Sequence, residues 1–396
     1  MAYLYAENVQ MINERAEEPA RAGELAGWLM VFISALLCLG ALMVFSAGAG
    51  LDQEIDLRHF WRYSTLRRVV FVPVVWVVLA VVSQFNYRRW VFNEKHFWRS
   101  PIVALMGISI VFLVLVLIPG IGREVNFSRR WLEFGSGEYG IRFQPSELAK
   151  WVTVMFMAVY AVHRQDKIRE FRRGFLPACL VLLVVVGLIG KEDFGTGALV
   201  GVMGMVVLLV GGVRWWHMLI LIPLGAVAFY VLVYSDPYRW GRIVAFMDTD
   251  GTHAQSTAYQ LNQSIMAIAS GGLWGVGLGK GTIKQGHLPE DTTDFVFAIV
   301  GEELGFAGCV LVVLLFLGIM ITSVIIIRRT PDRAGKLLGL AIAGTIGAQA
   351  LMNLLVVTGL APTKGIALPF VSAGGSGLVM TAVAAGVLIN IARHKN

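Results

Sequence analysis

Charged residues are scarce in this chain. They make up 15% of its 396 residues, whereas a typical soluble domain carries about 25%. Hydrophobic residues make up 57%, and apolar runs of about 18–25 residues recur along most of the length. This composition excludes a large soluble core and predicts a polytopic membrane protein.

Cysteine is nearly absent, and its few copies are poorly placed for chemistry. Cys38, Cys179 and Cys309 all lie in apolar runs, without the spacing of a metal site or of a disulfide framework. The seven histidines likewise never pair at zinc-ligand spacing. Neither a zinc site nor a disulfide-stabilised fold is therefore expected.

Nucleotide and nucleic-acid binding are poorly supported. The net charge is +7, but the lysines and arginines are scattered over short loops, as membrane topology requires. The glycine-rich stretch SGGLWGVGLGKGTIKQG (270–286) lacks the Ser or Thr of a P-loop, because Gly281 follows Lys280. We expect a tight, close-packed turn there and no nucleic-acid partner.

The apolar runs predict an all-α protein with ten transmembrane helices. These lie near 27–47, 68–85, 101–119, 146–163, 175–190, 195–212, 215–235, 295–327, 337–358 and 369–391. The first is too long for the apolar part of a signal peptide, so we expect it to be retained. The eighth is long enough to tilt or to extend past the bilayer. The implied division is a tail over 1–26, a membrane domain over 27–392 and a tail over 393–396.

The bias of lysine and arginine between the loops predicts that both termini are cytoplasmic. The large outside segments are then 120–145, 236–294 and 359–368. The longest lies between the seventh and eighth helices. It contains QSTAYQLNQSIMAIAS (255–270), whose polar and apolar residues alternate at helical spacing and predict a helix on the membrane surface.

Three acids stand at and inside the start of the eighth helix, in LPEDTTDFVFAIVGEELG (288–305). Asp294 fits two interpretations: an N-cap that Thr292 or Thr293 could replace, or a functional carboxylate. Glu302 and Glu303 lie deeper, where carboxylates are costly in lipid. They either face a polar cavity or belong to a buried structural ion pair.

The segment 128–150 offers cations that could hold an anionic head group. Pro145 suits the first turn of a helix, which places Glu147 and Lys150 three residues apart on one face, with Arg142 just ahead. Arginine favours bidentate phosphate contacts and lysine acts as a point charge. The alternative is an ordinary salt bridge with an interface anchor.

Three other residues of that segment also have explanations that involve no substrate. Trp131 fits an aromatic residue at the membrane interface. Arg129 and Arg130 could simply extend to lipid head groups.

The segment APTKGIALPFVSAGGSG (361–377) places Lys364 in the last outside loop. Pro369 is expected to open the final helix, and Gly374, Gly375 and Gly377 to allow close helix approach. The acids and cations thus converge on the outer leaflet. A channel would distribute charge along its pore, and an ion-coupled carrier would place its site near the midplane. This arrangement favours chemistry on, or binding of, a lipid with an anionic head.

Several motifs, taken in order, resemble the SEDS family of shape, elongation, division and sporulation proteins, which includes FtsW, RodA and SpoVE. The GEELG and PTKG forms are more similar to the FtsW branch than to RodA. The motifs are VFSA (44–47), SRRW (128–131), RFQPSELAK (142–150), EDFGTGAL (192–199), YQLNQSIMAIASGGLWGVGLGKG (259–281), LPEDTTDFVFAIVGEELG (288–305) and VVTGLAPTKGIALPFVSAGGSG (356–377).

The resemblance implies a peptidoglycan glycosyltransferase that polymerises lipid II, with ten helices and a large loop between the seventh and eighth. It implies the outer face of the bacterial inner membrane, septal wall synthesis, a lipid-linked glycan chain as second substrate, and a class B penicillin-binding protein among other divisome partners. A divalent cation such as Mg²⁺ is the cofactor to expect, with no organic cofactor.

The resemblance also assigns roles to residues. It makes Asp294 the catalytic aspartate. The substrate-binding residues would be Arg142, Lys150, Glu147, Trp131, Arg130 and Lys364. The supporting residues would be Glu302, Glu303, Ser372, Gly374 and Gly375.

This sequence departs from the family pattern at a few positions. Asp291 and Thr292 stand where the family usually has Ala and His, and Ala373 and Gly377 where it has Tyr and Ser. The missing His removes a second proton carrier. A lipid II transporter and a non-catalytic division scaffold are the alternative functions.

Overall fold

The computed structural model describes residues 2–48, 64–90, 96–125, 128–135, 141–247, 257–281 and 293–393. Asp291 and Thr292 lie outside these ranges. The chain is mostly helical. Its α-helices are α1 Ala2–Gly48, α2 Ser64–Val82, α3 Tyr87–Trp90, α4 Pro101–Leu117, α5 Pro145–His163, α6 Leu176–Glu192, α7 Phe194–Val210, α8 Trp215–Met218, α9 Leu221–Phe229, α10 Pro237–Met247, α11 Thr257–Gly271, α12 Val296–Arg329, α13 Arg333–Val357 and α14 Gly375–Arg393. A 3₁₀ turn covers Phe97–Arg99, and π-helical turns cover Phe171–Phe175 and Tyr230–Tyr234.

Six helical stretches are long and apolar enough to cross a membrane, which confirms a multi-pass membrane protein. They are Gly23–Ser46, Phe171–Glu192, Trp215–Tyr234, Val296–Arg329, Arg333–Val357 and Gly375–Arg393. Shorter apolar helices cover Phe71–Val82, Pro101–Leu117 and Phe194–Val210. Each predicted run overlaps a helix, but the count of ten crossings stays a prediction.

Helix α5 lies at the centre of the bundle. It packs against α4, α6, α7, α13 and α14, and nearly all of its side chains between Pro145 and Ala161 are buried. Pro145 occupies the first turn, as predicted. The polar residues of α5 therefore face other helices, so their partners must come from within the protein.

A small antiparallel sheet lies between α4 and α5, and the all-α prediction is wrong at this point. Its strands are β1 Gly122–Val125, β2 Ser128–Phe134 and β3 Ile141–Phe143, in the order β1-β2-β3. Cross-strand pairing joins Arg123 to Trp131 and Glu133 to Arg142. An ion pair between Arg123 and Glu133 adds to the backbone ladder.

The final helix begins later than predicted. Pro369 lies in an irregular segment, and α14 opens only at Gly375. Phe370 has a φ of +64°, which is incompatible with a continuing helix. The Ser372 hydroxyl accepts from the Leu368 amide at 2.7 Å and donates to the Thr293 carbonyl at 2.5 Å, which holds this segment against the start of α12.

Helix α12 is broken at Gly305, so the eighth predicted span is not one continuous helix. Gly305 has a φ of +67° and a ψ of −164°. Residues 271–279, the glycine loop, insert at the break. The amides of Val276 and Gly277 donate to the carbonyls of Glu302 and Glu303 at 3.0 and 3.1 Å. The carbonyls of Gly272 and Leu273 accept from the first two amides beyond the break at 2.9 and 3.1 Å.

The predicted tight turn is confirmed in this loop. A Cβ at Gly275 would lie 2.1 Å from the Glu303 carbonyl oxygen, and the residue has a φ of +81°. Only glycine fits both constraints. The loop therefore supplies the hydrogen bonds that the interrupted helix lacks.

The long segment over 236–294 contains the predicted helix. It runs over Thr257–Gly271 as α11 and packs against α12 and α13. Ser264 donates to the Val357 carbonyl at 2.8 Å, while Ile265 and Met266 are exposed. Its position on a membrane surface stays a prediction.

Asp332 fixes the N-terminal end of α13. Its carboxylate accepts from the Gly335 amide at 2.7 Å and from the Tyr87 hydroxyl at 2.9 Å, and Arg88 lies 3.2 Å away. Burial alone would raise the pKa of Asp332, but these partners hold it below its usual value. Burial raises the pKa of Tyr87 to about 12.

We predict that Gly275→Ala lowers the free energy of unfolding by more than about 2 kcal/mol. A left-handed backbone costs a side chain about 1–2 kcal/mol, and the clash with Glu303 adds to that. Gly279→Ala is the matched control, because Gly279 has a φ of +79° but open space around its Cβ position. Thermal unfolding in detergent should show a smaller loss for the control; equal losses would contradict the proposed steric role of Gly275.

Candidate active site

Four segments meet at one end of the helical bundle, here called the site end. They are the β3–α5 junction, the α6–α7 turn, residues 293–296 and residues 359–377. The Gln144 amide donates to the Ser376 hydroxyl at 3.3 Å, which joins the first segment to the last. Ser372 joins the last to Thr293. Most of the predicted site residues therefore come from segments far apart in sequence but held together by hydrogen bonds.

Asp294 is partly buried and lies just before α12. The N-cap position is Phe295, without a side-chain cap, so the N-cap interpretation of Asp294 is wrong. The Asp294 carbonyl accepts from the Asn353 side-chain amide at 2.7 Å. Its carboxylate faces Gly365, where a Cβ would lie only 2.8 Å from Oδ2. The backbone of Asp294 is thus fixed, and its carboxylate lies against the segment that carries Lys364.

Lys150 is 1% exposed and paired inside the bundle. Its Nζ donates to Glu147 Oε2 at 2.8 Å and to Gln349 Oε1 at 2.8 Å. The predicted pair three residues apart is thus present. An ammonium group has three donors, and the described residues accept from two of them. One donor is left for a further acceptor.

Gly377 allows Glu147 to approach α14. A Cβ at Gly377 would lie 3.0 Å from Glu147 Oε2, closer than most real contacts. The serine usual in the family at this position would need this carboxylate to shift. By contrast, Gly374 and Gly375 are not tightly packed by the described residues: none of these lies within 4 Å of a Cβ at the first, and Phe71 lies at an ordinary contact distance of 3.6 Å from a Cβ at the second.

Arg142 is the accessible cation of this group. Its side chain is 52% exposed on β3, with Glu133 Oε1 3.8 Å from its Nε. Glu133 also pairs with Arg123, so its negative charge is shared between two guanidinium groups. Arg142 can therefore meet an anionic ligand with little desolvation and with its fork of donors largely open.

Arg130 is held at the end of α6, and its predicted substrate-binding role stays a prediction. Its Nε and Nη2 donate to the Glu192 carbonyl at 3.0 and 2.7 Å, at the C-terminal end of α6. A cation there satisfies an orphan carbonyl and complements the helix dipole. Trp131 is half-buried in β2 opposite Arg123.

Lys364 lies against the α6–α7 turn. Its Nζ is 5.1 Å from the centre of the Phe194 ring. Burial lowers the pKa of Lys364, and the nearby carboxylate of Asp193 partly offsets this. Asp193 also caps α7, accepting from the Thr196 amide at 3.1 Å and the Thr196 hydroxyl at 2.8 Å.

Glu302 and Glu303 are each 1% exposed, beside the break in α12. Glu303 Oε2 accepts from the Ser46 hydroxyl at 2.5 Å, and Ser46 in turn accepts from the Gly279 amide at 3.0 Å. A Cβ at Gly281 would lie 2.7 Å from Glu302 Oε2. This placement agrees with a supporting role, since it ties α1, α12 and the glycine loop together.

Metal ligands do not gather in the described part of the chain. No group of three His, Cys, Asp or Glu side chains there could hold an ion. The described residues thus do not fit a protein-built Mg²⁺ site, and the reaction proposed below uses no metal. The expectation of a divalent cation stays untested.

Sequence reasoning missed two residues at this site, Gln349 and Asn353. Both are buried on α13. Their signal was visible as two amides four residues apart in an apolar helix, which places them on one face.

The family model described as "Cell cycle protein", which covers FtsW, RodA and SpoVE, matches residues 27–396. This chain belongs to the FtsW/RodA/SpoVE family. The resemblance drawn from its motifs is thereby confirmed.

Relatives within the FtsW/RodA/SpoVE family align over most of the chain. A probable peptidoglycan glycosyltransferase FtsW from Trichlorobacter lovleyi is 35% identical over 382 residues, 96% of each protein. Stage V sporulation protein E from Bacillus subtilis is 37% identical over 368 residues, 92% of this chain and 96% of that protein.

Solved structures of similar proteins share the fold. A chain from a peptidoglycan synthase complex, studied for the coordination of polymerization and crosslinking, has a TM-score of 0.70 and 25% identity, covering 92% of this chain and 96% of that one. The rod shape determining protein RodA of Thermus thermophilus has a TM-score of 0.61 and 26% identity, covering 92% and 95%.

We predict that Arg130→Ala in this FtsW/RodA/SpoVE protein lowers stability by about 1–3 kcal/mol, because it removes two charged hydrogen bonds from the end of α6. Arg142→Ala should leave the melting temperature nearly unchanged, because that side chain is exposed. Melting curves of both purified variants would test the contrast. An unchanged melting temperature for Arg130→Ala, with weakened substrate binding, would favour the substrate-binding role over this structural one.

Proposed function

We propose that this protein polymerises lipid II into β-1,4 glycan strands at the outer face of the bacterial cytoplasmic membrane, for septal wall synthesis. The observation that carries the proposal is the grouping of Asp294, the Glu147–Lys150 pair, Arg142 and Lys364 at the site end. The relatives named as probable peptidoglycan glycosyltransferases support it.

Asp294 acts as the general base. Its carboxylate takes the proton from the 4-hydroxyl of the acceptor N-acetylglucosamine as that oxygen bonds to C1 of the donor N-acetylmuramic acid. The bond from C1 to the phosphate oxygen breaks, and its electron pair leaves with undecaprenyl diphosphate. Attack from the opposite face inverts the α linkage to β. The proton remains on Asp294 until water removes it.

The cations stabilise the departing diphosphate, which gains negative charge in the transition state. Arg142 supplies an open guanidinium at the entrance, and Lys150 supplies its one remaining donor. Lys364 lies in the segment 359–377 of the same site. Burial disfavours its charged form, and an anion bound nearby stabilises that form. Glu147 holds Lys150 in place.

Both termini are cytoplasmic in this proposal, which turns the site end outward, and a class B penicillin-binding protein docks as the crosslinking partner. The small-residue run over 339–350 is a poor surface for that partner, because it packs against other helices of this chain. Glycines in it face the chain's own Ile327, Met203 and Met320 at 2.5–2.8 Å from their Cβ positions. The partner instead contacts the long outside segment. Helix α11 and the glycine loop of that segment pack directly against α12.

The two alternative functions fit the structure less well. A lipid II transporter needs polar groups that continue to the opposite leaflet, whereas the grouped acids and cations lie at the site end. A non-catalytic scaffold has no need of the partly buried Asp294 carboxylate held against Gly365.

Asp294→Asn should reduce lipid II polymerisation by about 10²–10⁴-fold, because the change is nearly isosteric and removes only the basic oxygen. Purified protein with labelled lipid II, with and without its transpeptidase partner, is the assay. Asp291→Asn is the control for the extra acid of this motif. Glycan chains of normal length and yield from Asp294→Asn would rule out the general-base assignment.

Arg142→Ala should raise KM and lower kcat together, since the diphosphate is bound in the ground state and gains charge later. Lys150→Arg should also be impaired, because a planar fork cannot replace a point charge between Glu147 and Gln349. Lipid II binding and turnover are to be measured for each. Unchanged values in both variants would reject the diphosphate role.

A further inference from the structure

We propose that Gln349 and Asn353, here called the amide pair, are positioning residues that set Lys150 and Asp294 relative to each other. The inference rests on the proposed function and extends it to two residues of α13. Neither is expected to touch substrate. Each is expected to act through the residue that it holds.

Gln349 connects Lys150 to the segment that carries Lys364. Its Oε1 accepts from Lys150 Nζ at 2.8 Å, and its Nε2 donates to the Ala367 carbonyl at 2.8 Å. The acceptor end therefore fixes the direction of the Lys150 ammonium group. Together with Glu147 it leaves one N–H, in one direction, for the diphosphate.

Asn353 makes the matching connection to Asp294. Its Nδ2 donates to the Asp294 carbonyl and to the Ile366 carbonyl, both at 2.7 Å. Its Oδ1 accepts no hydrogen bond from the described residues. The residue therefore acts through its donors, which fix the backbone of the general base to the backbone of the Lys364 segment.

The amide pair lies on one face of a rigid element. The two residues are one turn apart, are 5% and 1% exposed, and α13 is capped by Asp332 at its other end. A buried amide is costly unless its hydrogen bonds are made. Filling these positions with apolar residues would avoid that cost but would leave Lys150 and the Asp294 backbone without their partners.

A positioning residue and a purely structural residue have different effects when they are replaced. A displacement of about 1 Å at a reacting group can reduce the rate by about 10²-fold while the fold persists. Loss of Gln349 should raise KM and lower kcat together through Lys150, whereas loss of Asn353 should lower kcat alone through Asp294. A merely structural amide would not divide its effects between KM and kcat in this way.

The first test replaces Gln349 in the full-length protein and measures lipid II polymerisation. Gln349→Met, which loses both hydrogen bonds, should raise KM about tenfold. Gln349→Glu keeps an acceptor for Lys150 and should hold KM within about threefold of wild type. If Gln349→Met does not fold, Gln349→Asn replaces it, because the shorter side chain cannot reach Lys150. Equal KM values for Gln349→Glu and the other folded variant would overturn the role of Gln349.

The second test replaces Asn353. Asn353→Leu and Asn353→Asp both remove the two donors, and each should lower kcat about 10–100-fold with KM nearly unchanged. The matched control is Thr345→Val, at a buried polar residue one turn before Gln349 whose hydroxyl donates only to Ala341 at 2.6 Å. Its kinetics should match wild type. Wild-type kcat in a folded Asn353 variant, or losses in Thr345→Val equal to those of the amide pair, would refute the proposal.

The outcomes separate this inference from the proposed function. Wild-type protein that fails to polymerise lipid II with its partner present would reject both. Wild-type protein that polymerises lipid II, together with amide-pair variants of unchanged kinetics, would reject only the positioning role.

Discussion

The buried ammonium group of Lys150 is the constraint on which the site depends. A charge at 1% exposure in the middle of a helical bundle is costly unless it is paired with an opposite charge and hydrogen-bonded. Glu147 and Gln349 meet that need from α5 and α13. Gln349 also donates to the Ala367 carbonyl, so it links this ion pair to the irregular segment that carries Lys364.

The break in α12 also keeps the glycine loop in a fixed relation to the first part of that helix. The glycine loop takes up the carbonyls of Glu302 and Glu303, and the side chain of Glu303 binds Ser46 of α1. The acids inside this helix thus lie where three elements join. Asp294 lies at the site end, just before the same helix, and its backbone carbonyl accepts from Asn353.

Much of this was predictable from local patterns. Apolar runs gave the helices, Pro145 marked the start of α5, and the spacing of Glu147 and Lys150 predicted their pairing. The failures share one cause, which is dependence on residues distant in sequence. The break at Gly305 exists because residues 271–279 fill it. The late start of α14 accompanies a contact between Ser372 and the Thr293 carbonyl, which is distant in sequence.

The division between exposed and buried cations suggests an order of events at the site. In the proposed reaction, Arg142, half exposed on the small sheet, meets the diphosphate with little desolvation. Lys150 cannot move toward a ligand without breaking two hydrogen bonds, so the ligand must come to its single remaining donor. The exposed cation would bind the diphosphate loosely at first. The fixed cation would then hold it in a single orientation. That orientation is what a general base on a fixed backbone requires, because Asp294 can serve only an acceptor that arrives at one place.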